Sequence, residues 1–362
     1  MTDQKKNEII DSLQAIRTIA FLAIFLFHDA DIFPGEGAFF SFLKKTPGRW
    51  GVSVFFVLSG FVMTYSYWNR PPKTRLKDAL AFSLKKIKKL YPLHLLMLLI
   101  GAVYLFLHHD PLTLILAQLS VTVPLIQTWL PIFYQSVNSV SWYLSVCVFL
   151  YFCFPCLLMQ IKKERSRILS LLMITAIFLA QLAVGFFVFH FTDIDIKWIT
   201  YCHPVFRLGD FAVGSILASI YLKRPLKEGS AQTPRQLYSA MEITVLMINI
   251  LVCITHWTLS KDAKWFSYTS LFLPSTALLI YVFSLNKGIL SQLLANRFVL
   301  WLAKISPYTY LIHKLLMYYF RDFCTYVLHD EEVSHILAII VPFGLTILAT
   351  YAYLALERNH CG

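Results

Sequence analysis

Two side chains interrupt the first long apolar stretch, QAIRTIAFLAIFLFH between Gln14 and His28, and they define the chemistry available to it: the guanidinium of Arg17 and the imidazole of His28. At ~100° per residue, their separation of about eleven positions returns to within ~20° of one helix face, about three turns and ~16 Å along the axis. A group that holds anions and a group that moves protons therefore face one interior. Burying a cation in a bilayer-spanning helix is costly, so such a residue reads as part of a site. The structural alternative is an Arg17 that snorkels to the inner headgroups and a His28 that caps the outer end.

Further candidates recur along the chain. Lys86 and Lys89 stand three apart on one helix face, at the end of the basic run NRPPKTRLKDALAFSLKKIKKLYPLHLL. Such a pair can hold phosphates as point charges or serve as a lipid anchor. Ser59, in VLSGF, lacks the strand and the glycine pattern of a nucleophile elbow, so Ser59, Gly60 and Gly51 point to close helix packing or backbone approach to a ligand. Asn138, Ser141, Trp142 and Ser145 in NSVSWYLS cluster near the outer interface, where small polar groups suit a hydroxyl-bearing substrate. Arg207 and Asp210 in FRLGD pair at helical spacing and suggest a polar cavity. Ser306, Tyr310 and His313 share a face in ISPYTYLIH. Cys153 and Cys156 sit in an apolar FCFPC setting and read as small core residues, and His108 with His109 lacks further ligands for a metal.

The elements that position these groups follow from composition. With 57% hydrophobic, 16% aromatic and 14% charged residues over 362 positions, the chain reads as an all-α polytopic membrane protein. About ten transmembrane helices are expected, near 10–33, 50–68, 91–107, 142–161, 168–190, 204–222, 239–258, 265–285, 306–328 and 333–355. The stretch 111–130, interrupted by Pro124 and Pro131, is expected as one interfacial or re-entrant helix buried against protein. Acidic Asp29 and Asp31 follow the first span with no small-residue cleavage site, so that helix is expected to be retained. Most basic residues fall on the side that carries the amino terminus. The other side holds Lys44, Lys45, Arg49, Lys197, Lys261, Lys264, Lys314 and Arg321. The positive-inside rule then places both termini in the cytoplasm, with the chain multi-pass in the inner (plasma) membrane. Residues 1–362 read as a single membrane domain with no fused soluble domain. The net charge of +12 is concentrated beside spans, which argues for membrane lipids and against nucleic acid as partner. Seven cysteines, mostly in apolar runs, suggest neither a disulfide framework nor a zinc site.

In order and spacing these stretches resemble the membrane acyltransferase family 3, whose members move acyl groups, commonly acetyl from acetyl-coenzyme A, to hydroxyls of cell-envelope sugars. The resemblance covers essentially the whole chain. It rests on LQAIRTIAFLAIFLFH, GVSVFFVLSGFVM, KKIKKLYPLHLL, SWYLSVCVFLYFCFP, FRLGDFAVG, ISPYTYLIH and the terminal Glu357-Arg358. It implies that Arg17 and His28 are the functional pair, that Lys86 and Lys89 replace an arginine pair in donor binding, and that Arg207 matches a helix-six arginine. It also implies acetyl-coenzyme A as acyl donor, with no metal. Lysine lacks the bidentate fork of arginine. Gln14 stands where many relatives have Asp, and Cys147 and Val148 where many have an acidic pair, so no carboxylate partner for His28 is evident.

The expected function is therefore that of a membrane O-acyltransferase acting on a cell-surface or lipid-linked carbohydrate. His28 serves as general base or transient acyl carrier, and Arg17 is catalytic or holds the donor. Lys86 and Lys89 meet coenzyme A phosphates, while Trp142, Ser145, Arg207, Asp210 and His313 line the acceptor site. A homo-oligomer is compatible with the sequence. A polytopic transporter is the main alternative, but it should show paired halves with matching helix breaks, and no such repeat is visible. A lipid-binding scaffold would explain the basic run but not charges inside spans.

Overall fold

The computed structural model describes residues 9–224, 234–327 and 334–361, and among them only helices and connecting turns form. In order they are α1 (Asp11–Ile32), α2 (Ala38–Lys45), α3 (Pro47–Tyr67), α4 (Leu76–Ile87), α5 (Tyr91–Leu107), α6 (Leu112–Thr122), α7 (Trp142–Lys163) and α8 (Arg167–Phe191). There follow α9 (Pro204–Leu222), α10 (Arg235–Thr258), α11 (Lys264–Ser267), α12 (Leu273–Ser284), α13 (Ile289–Leu294), α14 (Arg297–Tyr326) and α15 (His335–Cys361). Proline opens several of them, at Pro47, Pro92 and Pro204, where its missing N–H is not needed.

The count of ten spans is not confirmed. Among the described residues, six helices are long and apolar enough to cross a membrane, and α4 with α5, bent by 62° at their junction, makes up to seven. The span expected at 265–285 divides into four-residue α11 and twelve-residue α12. At 1.5 Å per residue, α12 covers about 18 Å of a ~30 Å hydrocarbon layer. The interrupted piece near 111–130 holds the eleven-residue α6, with an apolar outer face, and a turn at Gln127–Trp129 whose Gln127 and Thr128 are buried. Its crossing residue Leu125 has φ +60°, and its carbonyl accepts from Ser145 Oγ at 2.7 Å.

Helix α1 is the hub, packed against α3, α14, α12 and α13, with Leu13, Ile16, Ala20, Phe21, Ile24 and Phe25 all buried. Helices α3 and α9 make the closest crossing. A Cβ on Gly60 would strike the carbonyl of Phe211, and one on Gly214 would strike the carbonyl of Val57. Small residues let two backbones touch where no hydrophobic effect drives helices together in lipid. Around this core, α8, α10 and α15 turn Leu172, Phe187, Met247, Leu251, Ile340 and Leu348 outward, an apolar rim suited to acyl chains.

Candidate active site

His28, near the end of α1, meets His313 of α14: Nδ1 of His28 lies 2.8 Å from Nε2 of His313. The other nitrogen of His313, Nδ1, lies 2.8 Å from the carbonyl oxygen of Tyr310. A carbonyl only accepts, so Nδ1 of His313 carries a proton, and in the neutral ring its Nε2 is a lone pair. His28 must then donate from Nδ1, which leaves its own Nε2 unprotonated. The chain of bonds Tyr310 carbonyl, His313, His28 thus selects the basic tautomer. His313 is fully buried among Phe21, Phe25 and Tyr310, with ring centroids 5.8–6.1 Å away. Among the described residues no carboxylate bonds to His28; its partner is a second imidazole.

Local sequence places these groups. Pro307 has no N–H for the carbonyl of Ala303, and the Ser306 hydroxyl donates to that carbonyl at 2.9 Å instead. The helix α14 therefore continues through the proline and carries Tyr310 and His313 toward α1.

His28 opens on a chamber of about 260 Å³, lined also by Asp31, Lys44, Arg49, Gln135, Trp142, Lys197, Tyr201, Tyr268, Tyr310 and Lys314. Lys44 pairs with Asp31 at 3.9 Å. Arg49 donates to Nε2 of His256 at 2.9 Å and lies over the Tyr268 ring at 4.4 Å. Thr46 fixes the other nitrogen of His256 at 2.8 Å. We call this the outer chamber.

A second cavity of about 200 Å³, the inner chamber, is lined by Arg17, Phe55, Leu58, Ser59, Lys86, Tyr143, Cys147, Tyr151, Ser306 and Tyr310. Arg17 donates to Oε1 of Gln14 at 3.0 Å, so the glutamine at this position holds the guanidinium without neutralising it. Ser59 Oγ lies 3.2 Å from the Tyr143 hydroxyl. Tyr310 borders both chambers and packs with Tyr143 at 5.5 Å and Phe55 at 6.1 Å, an aromatic wall between them.

The other residues singled out from sequence divide. Arg17 and His28 share a face of α1 but open on different chambers, so Arg17 does not adjoin the imidazole. Lys86 is half-buried over Tyr67 at 4.4 Å and lines the inner chamber; Lys89 is exposed, near Tyr308 at 5.6 Å, and does not. Trp142 lines the outer chamber, against Tyr201 at 5.0 Å, and is itself buried.

Ser145 lines neither chamber. It ties α7 to the irregular segment through the Leu125 carbonyl and Thr128 Oγ1, at 2.7 Å each. Nor do Arg207 and Asp210 form a polar cavity. Both are fully buried and bonded at 2.6 Å, with Arg207 between the rings of Phe56 and Tyr201 at 4.9 Å and Asp210 accepting from Gln181 at 2.9 Å. Nε of Arg207 holds the Tyr201 carbonyl at 2.7 Å, so this ion pair reaches the outer chamber only by positioning Tyr201. His203, before α9, is wedged between Trp129 and Trp198 at 5.2 and 5.3 Å, and burial holds its imidazole below the ordinary histidine range. Sequence reasoning missed the chamber roles of Arg49, Lys197 and Lys314, which it counted only as outer-face charges. The one signal for Lys314 was its place beside His313.

Two chambers divided by an aromatic wall, with the His28–His313 pair on one side of it, thus lie within the helical bundle. The chain belongs to the acyltransferase 3 family: the family model described as "Acyltransferase domain" matches residues 10–355. It is similar to Acyltransferase MdmB of Streptomyces mycarofaciens, 29% identical over 266 residues, which cover 67% of this chain and 67% of that protein. No solved structure matches. The protein is a membrane acyltransferase.

Proposed function

We propose that the protein is an O-acyltransferase that moves an acyl group, acetyl in the simplest case, from acyl-coenzyme A to a hydroxyl of a cell-surface or lipid-linked carbohydrate. The observation that supports this reading most is the bond chain from Tyr310 through His313, which leaves Nε2 of His28 as a free base on the outer chamber. A sugar hydroxyl is a weak nucleophile near neutral pH, and a positioned imidazole contributes typically about 10²–10⁴-fold. With the thioester brought past Tyr310 from the inner chamber, Nε2 of His28 takes the hydroxyl proton as the oxygen attacks the thioester carbonyl. The tetrahedral oxyanion then collapses, the C–S bond breaks, and the coenzyme A thiolate takes the proton back from the imidazolium. Arg17 and Lys86, which among the described residues have no carboxylate partner, suit the donor's phosphates and pantetheine arm. The inner chamber lies toward the amino-terminal end of α1, the end read as cytoplasmic, where acyl-coenzyme A is made.

The test is acetyl-coenzyme A consumption by proteoliposomes supplied with cell-surface glycan, read as released thiol and as acetylated carbohydrate by mass spectrometry. His28→Gln keeps a hydrogen-bonding group but cannot take the proton, and it should abolish both signals at equal protein abundance. Near-normal transfer by that variant would exclude His28 as the base.

A further inference from the structure

The outer chamber holds more positive charge than acyl transfer to a neutral sugar requires. Among the described residues, four cations line it, Lys44, Arg49, Lys197 and Lys314, against one carboxylate, Asp31. That carboxylate is engaged by Lys44, the most exposed of the four. The other three are half-buried and, among the described residues, have no carboxylate within ion-pair distance, although Asp31 also acts on Lys314 through space. Their hydrogen-bond and ring partners are neutral. Arg49 is bonded to His256 at 2.9 Å, Lys197 to Oε1 of Gln135 at 3.1 Å, and Lys314 lies 5.8 Å from the centre of the Tyr318 ring. The nearby Asp195 is turned to other donors, accepting from the Tyr134 hydroxyl and the Lys197 backbone N–H at 2.9 Å each.

Half-burying three unpaired cations in one cavity is costly, because each loses solvation and repels the others. The arrangement is nonetheless built: Arg49 is held by a buried Thr46–His256 bridge and stacked on Tyr268, so its guanidinium is fixed toward the chamber rather than free to escape to water. A ligand that brings the missing negative charge removes that cost, and charge-assisted bonds to phosphate or carboxylate oxygens are the strong ones. Trp142, Tyr201 and Tyr268 also line the cavity.

We propose that the outer chamber takes an anionic acceptor, a carbohydrate whose phosphate or carboxylate is held by Arg49, Lys197 and Lys314 while a neighbouring hydroxyl faces Nε2 of His28. The proposal rests on the reading of the protein as a hydroxyl acyltransferase. The same oxyanion chemistry could come from the diphosphate of a lipid-linked glycan or from a uronic acid. Neutral hexoses lack it.

Binding and transfer are measured separately, on the full chain in nanodiscs of zwitterionic lipid. Equilibrium binding is followed with pyrophosphate and with octyl glucuronide, and octyl glucoside is the neutral control. Saturable binding of at least one anionic probe, weakened tenfold or more by Lys197→Gln with Lys314→Gln, weakened by salt, and not displaced by coenzyme A, is the expected result. Preference for pyrophosphate points to a lipid-linked diphosphate, and preference for the glucuronide to a uronic acid. Absence of saturable anion binding by the folded wild type overturns the proposal, as does binding indifferent to the lysine substitutions or competitive with coenzyme A, which would make the chamber part of the donor site. The transfer arm offers acetyl-coenzyme A with octyl glucoside or octyl glucuronide. Equal acetylation of the two also overturns the proposal. Anion binding of the expected kind without acetyl-coenzyme A consumption leaves the anion site standing and sinks the acyltransferase reading of that chamber.

Discussion

Replacing His313 tests the proposed proton path without touching His28, its proposed base. In His313→Leu, Nδ1–H of His28 loses the acceptor now 2.8 Å away, on the side that packs toward Phe21 and Phe25. An unpaired buried donor costs about 1–3 kcal/mol. If His28 instead shifts its proton to Nε2 to escape that cost, the lone pair leaves the chamber and must be restored before reaction, so the penalty reappears in the barrier. At about 1.36 kcal/mol per factor of ten, the loss is about 5- to 160-fold in kcat. The KM for acyl-coenzyme A should stay unchanged, because the inner chamber is separate. His313→Gln retains an acceptor oxygen and should lose only a few-fold. His28→Gln removes the base itself and should lose on the order of 10²–10⁴-fold. The assay is thiol release from acetyl-coenzyme A by proteoliposomes, with folded protein quantified by size-exclusion chromatography. A wild-type rate in His313→Leu would refute the tautomer argument. Loss in His313→Gln as deep as in His28→Gln would make His313 a proton carrier in its own right.

Three further outcomes are expected. Lys86→Ala should raise the KM for acyl-coenzyme A about 5-fold, roughly 1 kcal/mol for a partly exposed ionic contact, with the difference shrinking as salt is added; Lys89→Ala, outside the chamber, should change it less than about 2-fold by the same reasoning. Gly214→Ala drives a Cβ into the Val57 carbonyl and should cost about 1–3 kcal/mol of stability, seen as a lower Tm of the detergent-solubilised protein; an unchanged Tm would mean that the α3–α9 crossing can open without penalty. Single cysteines replacing exposed Lys77 and His109, in a background without native cysteines, report orientation: an impermeant thiol reagent applied to intact cells should label position 109 and spare position 77, and the reverse pattern would invert the topology.

Some of this was legible in the chain alone. The apolar excess fixed a helical membrane protein, because a surface that greasy needs lipid as solvent. Helical periodicity put Arg17 and His28 on one face of α1, and titratable groups inside an apolar run marked both as candidates for a site. Those are local properties, carried by composition and by spacings of a few turns. Span number was not local: whether 265–285 forms one crossing helix or a broken pair depends on what packs beside it, and the structure gives α11 and α12. The fate of buried charges was not local either. Arg207 and Asp210 look as functional in sequence as Arg17, yet Phe56, Tyr201 and Gln181 enclose them as a structural pair, whereas Arg17 is left facing a cavity. The partner of His28 lies 285 residues away. Nothing in the neighbourhood of either histidine encodes that distance, since a hydrogen bond depends on where two helices bring two nitrogens, and only the packing of α1 against α14 decides it.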